Sequence, residues 1–439
     1  MAANRLLWFR NDLRVTDNPA LLAALETGGR VTGIPIEATD QDLRPRGAAS
    51  RWWLHHSLGA LARDLAALGI AFETRRGPAG ETLRSAVADH GANAVFWNRR
   101  YGPAERAIDT TLKASLRAEG IDAESYEGDA LIEPFDIATA DGRPYSVFTP
   151  FWKALRGREI ARPRPAPHRV REPIRPGRID AAYIAPIWSR KLEAHWKIGE
   201  AAAKARLADF LDRQVTGYPV DRNIPAREAT SRLSPHLAFG EISPRQIWHA
   251  ALAAAAADPA KSDAIDAFLR ELAWRDFNIH QLFHRPDIAS VPMQPKFAHL
   301  PWRTAPSDLR AWQRGETGIP LVDAGMRELW ETGFMHNRVR MIVASFLTKN
   351  LLIDWREGER WFWDTLLDAD PANNPGNWQW VAGCGLDAAP YFRIFNPLTQ
   401  AERFDPEGTY VRRWAPEVRE PLVNLKTSRE RALAAFKAI

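Results

Sequence analysis

Leu6-Leu-Trp-Phe9-Arg-Asn-Asp-Leu-Arg-Val-Thr-Asp17-Asn-Pro19 begins with a four-residue apolar run and then turns polar. A short continuous apolar run bounded by polar residues reads as a strand buried on both faces. Asp17-Asn18-Pro19 reads as a helix start, a side-chain cap followed by proline in the first turn. The same alternation continues. Val31 to Ile36, Ala71 to Glu73, Ala94 to Trp97 and Ala123 to Tyr126 read as further strands. Between them, residues 49–68 carry Leu54, Leu58, Leu61, Leu65 and Leu68 at helical spacing, with Gly69 as the stop. Residues 103–119 repeat that pattern and end at Gly120. Strand–helix alternation at this interval predicts a Rossmann-like parallel sheet with helices on both faces. No GxGxxG follows the first strand, so the usual dinucleotide fingerprint is missing.

The pattern changes after about residue 130. Residues 162–178 hold five prolines and six arginines and read as an extended linker. Beyond residue 198 the signals are helical: Glu200 to Arg213, Pro244 to Ala257, Ala264 to Phe283, Pro320 to Thr332 and Asn337 to Asn350. The expected fold class is α/β plus all-α, divided as an N-terminal α/β domain (1–130), a connector (131–197) and a helical domain (198–439).

With 439 residues, 45% hydrophobic and 26% charged, the composition is that of a globular protein. No apolar run approaches the roughly 20 residues of a membrane span, and the N-terminus has no signal-peptide pattern. A single cysteine, Cys384, excludes an internal disulfide and a cysteine-based metal site, and fits a reducing cytoplasm. A net charge of +5 and a pI near 9.4 suit a polyanionic partner. Eighteen tryptophans suit either a tryptophan-rich core or a role in stacking and electron transfer.

The densest chemistry lies between Trp355 and Pro397: Trp355-Arg-Glu-Gly-Glu-Arg-Trp361-Phe-Trp363, Asp368-Ala-Asp370-Pro-Ala-Asn373-Asn374, Asn377-Trp378-Gln-Trp380, and Asp387-Ala-Ala-Pro-Tyr391-Phe-Arg393-Ile-Phe-Asn396-Pro397. Aromatics alternating with amides and charges suit a site that stacks flat rings and holds their polar edges. Upstream, Thr230-Ser231-Arg232-Leu233-Ser234 places hydroxyls where a helix would begin. Such residues either cap the helix or bind an anion there. Glu271 and Trp274 are three apart on one helix face, either a surface salt bridge beside a core ring or a paired polar and stacking site. Asn337 and Met341, four apart, face one side of a helix, and neither can donate a proton near neutral pH.

Together these motifs resemble the photolyase/cryptochrome family, and within it the bacterial cyclobutane pyrimidine dimer photolyases of class I and class III type. The likeness spans nearly the whole chain and is strongest from 216 to 400. It implies an N-terminal antenna domain and a C-terminal helical FAD-binding domain. It implies that Tyr218, Thr230, Ser231, Arg232, Leu233, Ser234, Arg275, Arg340, Asp368, Asp370 and Asn374 hold FAD. Asp368 and Arg340 match the charged pair beside the flavin ring. Asn374 matches the residue facing the flavin nitrogen, where its amide would donate a hydrogen bond. Glu271, Trp274, Asn337, Met341 and Trp380 match the lesion-binding set. Trp378, Trp355 and Trp302 match a tryptophan electron-transfer chain, and Arg222, Arg338 and Arg393 match contacts to DNA phosphates. His336 is expected to pack or to bond backbone. Glu105 keeps the acid of the family's folate-binding stretch, while Ala104 replaces the amide before it. The resemblance thus favours methenyltetrahydrofolate over a deazaflavin as antenna. Phe334 departs from the tryptophan of several members.

The implied activity is light-driven repair of cyclobutane pyrimidine dimers by electron transfer from reduced anionic FAD. The implied partner is UV-damaged DNA, and the protein is expected to act as a monomer, in the cytoplasm, without metal or membrane. The rival reading is a cryptochrome-like photoreceptor without repair, against which stand Asn374, Asn337, Met341 and Glu271. A (6-4) photolyase would carry histidines in place of Asn337 and Met341.

Overall fold

The computed structural model describes residues 4–26, 28–168, 170–179, 183–388 and 392–439. Residues 169 and 180–182 of the expected connector, and Tyr391 in the tryptophan-rich stretch, lie outside them.

All five expected strands form: β1 (Asn4–Phe9), β2 (Arg30–Ala38), β3 (Ala71–Phe72), β5 (Ala92–Asn98) and β6 (Asp122–Tyr126). A further short strand, β4 (Arg75–Gly77), pairs with the end of β2. The order is β3-β2-β1-β5-β6, and every pairing is parallel. The period of two along β1 sends Leu7 and Phe9 to one face and Leu6 and Trp8 to the other. The first face packs on Leu61 and Leu65 of helix Ala48–Ala67. The second packs on Leu83 of helix Ala79–His90 and Leu112 and Leu116 of helix Pro103–Ala118. Burial on both faces explains why these strands read as continuous apolar runs. Asn18 supplies the expected cap, its Oδ1 accepting from the Leu21 N–H at 3.1 Å.

Helix Ser262–His284, 23 residues long, is the axis of the helical part. Helices Pro244–Ala257 and Asn373–Ala382 pack against it. Ser243 and Gln246 close a reciprocal capping box at the start of Pro244–Ala257. Two expected helices change pitch before they end. The first is α-helical over Glu200–Asp209 and then widens into a π-turn at Phe210–Gln214. The second is α-helical over Asn337–Ser345 and widens at Phe346–Asn350, ahead of Leu352 at φ +54°. Widened turns of this kind recur beside functional cavities.

The proline-rich segment 162–178 forms no helix or strand among its described residues. It runs back along the sheet side, with Val170 N–H donating to Leu68 O and Ile174 N–H to Ala66 O. The region before it is more than a linker. Helix Phe148–Arg156 buries Phe148, Phe151, Trp152 and Leu155 in one core with Phe268, Leu272 and Phe277 of Ser262–His284. Polar contacts tie the sheet to the helices. Arg14 donates to Gly240 O at 2.9 Å, Trp53 Nε1–H to Glu241 at 3.0 Å, and Arg275 to Asp129 at 2.7 Å.

Candidate functional site

Between these helices lies a cavity of about 510 Å³, within the range of cofactor sites. One part of its wall comes from Tyr218, Ser231, Leu233 and Ser234, another from Glu271, Trp274 and Arg275 on helix Ser262–His284. Asn337, Arg338, Arg340 and Met341 enter from helix Asn337–Ser345. Asp368, Asp370, Asn374, Trp378 and Trp380 complete it from the loop and helix around Asn373–Ala382. Segments about 160 residues apart in sequence thus converge, some through helix faces and some through the loops that precede helices.

The charged groups are paired. Arg340 grips Asp368 with two parallel hydrogen bonds of 3.0 and 2.8 Å, the bidentate geometry that makes guanidinium–carboxylate pairs strong. Ser234 Oγ–H donates to the same carboxylate at 2.6 Å. Arg222 pairs with Glu271 at 2.6 Å, so the expected phosphate contact and the expected lesion carboxylate are partners of one another. Burial would lower the Arg275 pKa, but the carboxylates of Asp129, Asp276 and Asp370 outweigh that and hold it above its ordinary value. Burial raises Asp370, against the opposing hydrogen bonds from Asn373. His336 is buried, and its Nδ1 accepts from the Arg338 N–H at 3.2 Å. Burial, with Arg338 and Arg340 nearby, lowers its pKa to about 4. It is therefore neutral at pH 7 and bonds backbone.

Trp274 stacks on Phe148 with centroids 3.7 Å apart and planes at 8°. One ring face is thus covered by a residue 126 positions earlier, and the side chain still lines the cavity. Trp378 is 2% exposed. Its ring meets Phe362 at 5.0 Å and the fully buried Trp312 at 6.2 Å. Trp355 is buried in the same core, and Trp302 packs on it from a partly exposed position. Neither lines the cavity.

Two residues of the 230–234 stretch do not line the cavity either. Arg232 has φ +51°, and its guanidinium lies over the Trp196 and Phe334 rings at 4.4 and 5.1 Å. The left-handed backbone at Arg232 is uncommon for a residue other than glycine, and its side chain packs on those rings outside the cavity wall. Thr230 uses its carbonyl oxygen to accept from Arg206. The helix that follows is short, Ser234–Ala238, with no side-chain cap. Arg393 is also outside the wall.

Asn374 corrects a further expectation. Its Nδ2 donates to the backbone oxygen of Glu359 at 3.0 Å and to Glu359 Oε1 at 2.7 Å. Both partners are acceptors only, so the amide orientation is fixed. The amide hydrogens are spent, and what Asn374 retains is an acceptor, not the donor expected from the sequence.

A second cavity of about 90 Å³ sits at the carboxyl ends of β1 and β5, where the strand order reverses. Arg10, Asp12, Arg100 and Glu105 line it from the sheet side, and Arg275, Asp370 and Asn373 are shared with the larger cavity. The crevice outside the strand ends at such a reversal is the usual ligand position in open parallel sheets. Among the described residues no cluster of His, Cys, Asp or Glu could hold a metal ion. No helix among them is long and apolar enough to cross a membrane.

A parallel sheet docked against a helical domain that encloses an aromatic, ion-paired cavity defines a two-part ligand-binding protein. Residues 5–168 match the family described as DNA photolyase, and residues 268–435 match the FAD binding domain of DNA photolyase. A deoxyribodipyrimidine photo-lyase of Agrobacterium fabrum is 44% identical, the match covering 99% of this chain and 98% of that one. A bacterial class III photolyase from Agrobacterium tumefaciens superposes with a TM-score of 0.94 at 43% identity, covering 100% and 98% of the two chains. A Synechocystis cryptochrome superposes with a TM-score of 0.87 at 30% identity, covering 100% and 99%. The chain belongs to the photolyase/cryptochrome family.

Sequence reasoning missed Phe148, Trp312, Arg44 and Glu359. Glu359 stood inside the quoted tryptophan-rich stretch, where its position four residues from Trp355 on one helix face was the available signal. Phe148 and Arg44 carried none, since their partners are far away in sequence.

Proposed function

We propose that this protein is a deoxyribodipyrimidine photo-lyase that repairs cyclobutane pyrimidine dimers in UV-damaged DNA, driven by light. The observation that carries the reading is that a single cavity is lined by the expected flavin residues other than Thr230 and Arg232, and by the whole expected lesion set, Glu271, Trp274, Asn337, Met341 and Trp380. The donor set fits FAD. Hydroxyls at Ser231 and Ser234 and the cation of Arg275 suit a pyrophosphate, and the Arg340–Asp368 pair suits the polar edge of a flat ring. Reduced FAD, when bound, supplies the electron that a photoexcited flavin can donate and recover.

The protein's own part is positioning. Phe148 backs Trp274, so that one indole face is rigid and the cavity side is left for a flipped base. Stacking on such a ring contributes about 1–3 kcal/mol per base. A damaged pair is the cheapest to unstack, which favours a dimer over intact bases. Glu271 offers a carboxylate to the N–H edge of the lesion once Arg222 is drawn to a phosphate. Arg338 offers a second cation, and Arg393 is read as a third phosphate contact. Asn337 and Met341 fill the remaining wall with groups that move no proton, in keeping with electron rather than proton transfer. Trp378, Trp355 and Trp302 are read as the electron path that keeps the flavin reduced.

The finer reading of the antenna, methenyltetrahydrofolate in preference to a deazaflavin, is supported by Glu105 in the wall of the smaller cavity. The absorption spectrum of the released chromophore tests it. Action as a monomer on chromosomal DNA in the cytoplasm belongs to the same reading.

The decisive experiment is light-minus-dark repair of an oligonucleotide with one thymine cyclobutane dimer. Light-dependent repair that drops about 10- to 100-fold in Glu271→Ala, as loss of a charged hydrogen bond implies, supports the assignment. Flavin-loaded, DNA-binding protein without repair turns it to the photoreceptor reading.

A further inference from the structure

Arg44 lies in the irregular segment between β2 and helix Ala48–Ala67, on the sheet side of the molecule. It reaches 315 positions along the chain to grip Glu359 with two hydrogen bonds of 2.6 and 2.9 Å. The Glu359 side chain is 3% exposed and that of Arg44 34%. The arginine is itself held in place. Its guanidinium lies 4.0 Å over the Trp363 ring, and Trp363 Nε1–H donates to Pro45 O at 2.8 Å. Gly47, three residues on, has no room for a Cβ against the Trp363 carbonyl, so the segment lies flush on helix Trp355–Thr365.

Glu359 in turn receives the Asn374 amide, through both its backbone oxygen and its carboxylate. An ionised carboxylate has only acceptors, so it admits only the N–H side of Asn374. We infer that Arg44 is a positioning residue for the flavin: acting through Glu359, it fixes Asn374 with its carbonyl oxygen, not its amide nitrogen, left for the cavity. This rests on the reading that Asn374 faces the flavin nitrogen of bound FAD.

The charge of Glu359 governs which side of Asn374 it accepts. A carboxylate buried without a cation takes up a proton to escape the cost of desolvation. A protonated Glu359 becomes a donor, and it then satisfies the carbonyl of Asn374 as readily as the amide. Asn374 then keeps only the Glu359 backbone oxygen as an obligate acceptor, so the turned orientation, with its N–H groups toward the cavity, becomes easier to reach. The distinction matters to a flavin. The reduced ring carries hydrogen on its central nitrogen and needs an acceptor opposite, whereas the oxidised ring has a bare nitrogen that prefers a donor. By keeping Glu359 charged, Arg44 favours the reduced form. A contact from the sheet side thereby acts on the redox balance of a cofactor held by the helices.

The test uses the full-length holoprotein and follows, by absorption, how fast photoreduced FAD returns to the oxidised form in air. The variants are Arg44→Ala, Arg44→Lys, Glu359→Gln and, as a docking control, Asp364→Ala. The last removes the 2.8 Å bond from the Ala48 N–H to Asp364 but leaves the Arg44–Glu359–Asn374 series intact. The inference expects roughly tenfold faster reoxidation in Arg44→Ala and Glu359→Gln, the size typical when a partner of a cofactor-contacting residue is lost, and a return to within about twofold of the parent in Arg44→Lys. Asp364→Ala should match the parent. FAD retained in Arg44→Ala with an unchanged reoxidation rate overturns the inference, as does equal acceleration in Asp364→Ala, which would make the effect one of docking. Parent protein that holds no FAD at saturating concentration removes the flavin reading itself, and this inference with it. The thermal midpoint of each apoprotein separates a folding defect from the redox effect, and Arg44→Lys keeps the test open if Arg44→Ala does not fold.

Discussion

The two cavities share Leu237, Ala238, Arg275, Asp370 and Asn373 in their walls and are otherwise built in opposite ways. In the smaller one, most polar side chains are engaged by neighbours in or behind the wall, although the buried Nε of Arg10 and of Arg100 has no hydrogen-bond partner. Asn98 donates to Asp12 at 2.6 Å and to Asn18 at 2.9 Å, Arg10 pairs with Asp109 at 2.8 Å, and Tyr101 donates to Glu133 at 3.0 Å. In the larger one, two ion pairs, Arg340–Asp368 and Arg222–Glu271, are set among Trp274, Trp378, Trp380 and Met341. A wall whose polar atoms are mutually engaged holds two parts of a protein in register. A wall of ring faces and a few clamped charges receives a large flat ligand. Arg275 belongs to both, so occupancy of the large cavity and docking at the small one draw on the same cation.

The contrast can be broken at the apolar side first. Phe148→Ala removes a 1% exposed ring stacked on Trp274. The expected cost is about 4 kcal/mol in denaturant unfolding, little affected by salt. Binding of dimer-containing DNA should weaken as well, and an unchanged affinity would mean that Phe148 does not support a stacking surface. Next, Asp129→Ala strips Arg275 and Arg14 of a carboxylate that both contact. Loss of one partner from a buried pair predicts about 3 kcal/mol of destabilisation, together with weaker FAD retention, measured by equilibrium dialysis. If FAD binding is untouched, the two cavities are independent and the comparison fails. Gly358→Ala is smaller. A Cβ there collides with the Trp378 ring edge, and overpacking of this kind costs about 2 kcal/mol.

The smallest effect is a pH slope. Burial raises Asp276 to about 7, with Arg275 opposing it. Between about pH 4 and pH 7 the folded protein keeps a proton that the unfolded chain has released, so this group's contribution to stability falls as pH rises through that window. Asp276→Asn should flatten the slope and leave the protein relatively more stable above pH 7 than below pH 4. An unaltered slope in pH-dependent urea unfolding would place its origin elsewhere.

What could be read in advance follows the range of the interactions. The central strands β1 and β5 were legible because burial on both faces leaves continuous apolar runs. Strand β4, Arg75-Arg-Gly77, was not, since it pairs through backbone alone. Asn337 and Met341 were placed on one wall because helical spacing carries over into space. Thr230 and Arg232 stand outside the cavity wall, and the positive φ at Arg232 is a local feature that the sequence did not announce. Asn374 lines the cavity, but its amide hydrogens go to Glu359, fifteen positions earlier, a partner that the sequence did not reveal. The pairs Phe148–Trp274 and Arg44–Glu359 leave no local trace, as each joins elements that meet only in the finished fold.

The proline- and arginine-rich strap over residues 162–178 runs along the sheet side without a helix or strand of its own among its described residues. Arg171 and Arg178 are exposed and not followed by proline, so trypsin can cut after them. A single nick there would sever one peptide bond while leaving Arg14–Gly240, Trp53–Glu241, Arg44–Glu359 and Arg275–Asp129 in place. The two fragments would then travel as one particle under native conditions and part only in denaturant. The gene could accordingly be split at this strap and its halves expressed as complementing partners.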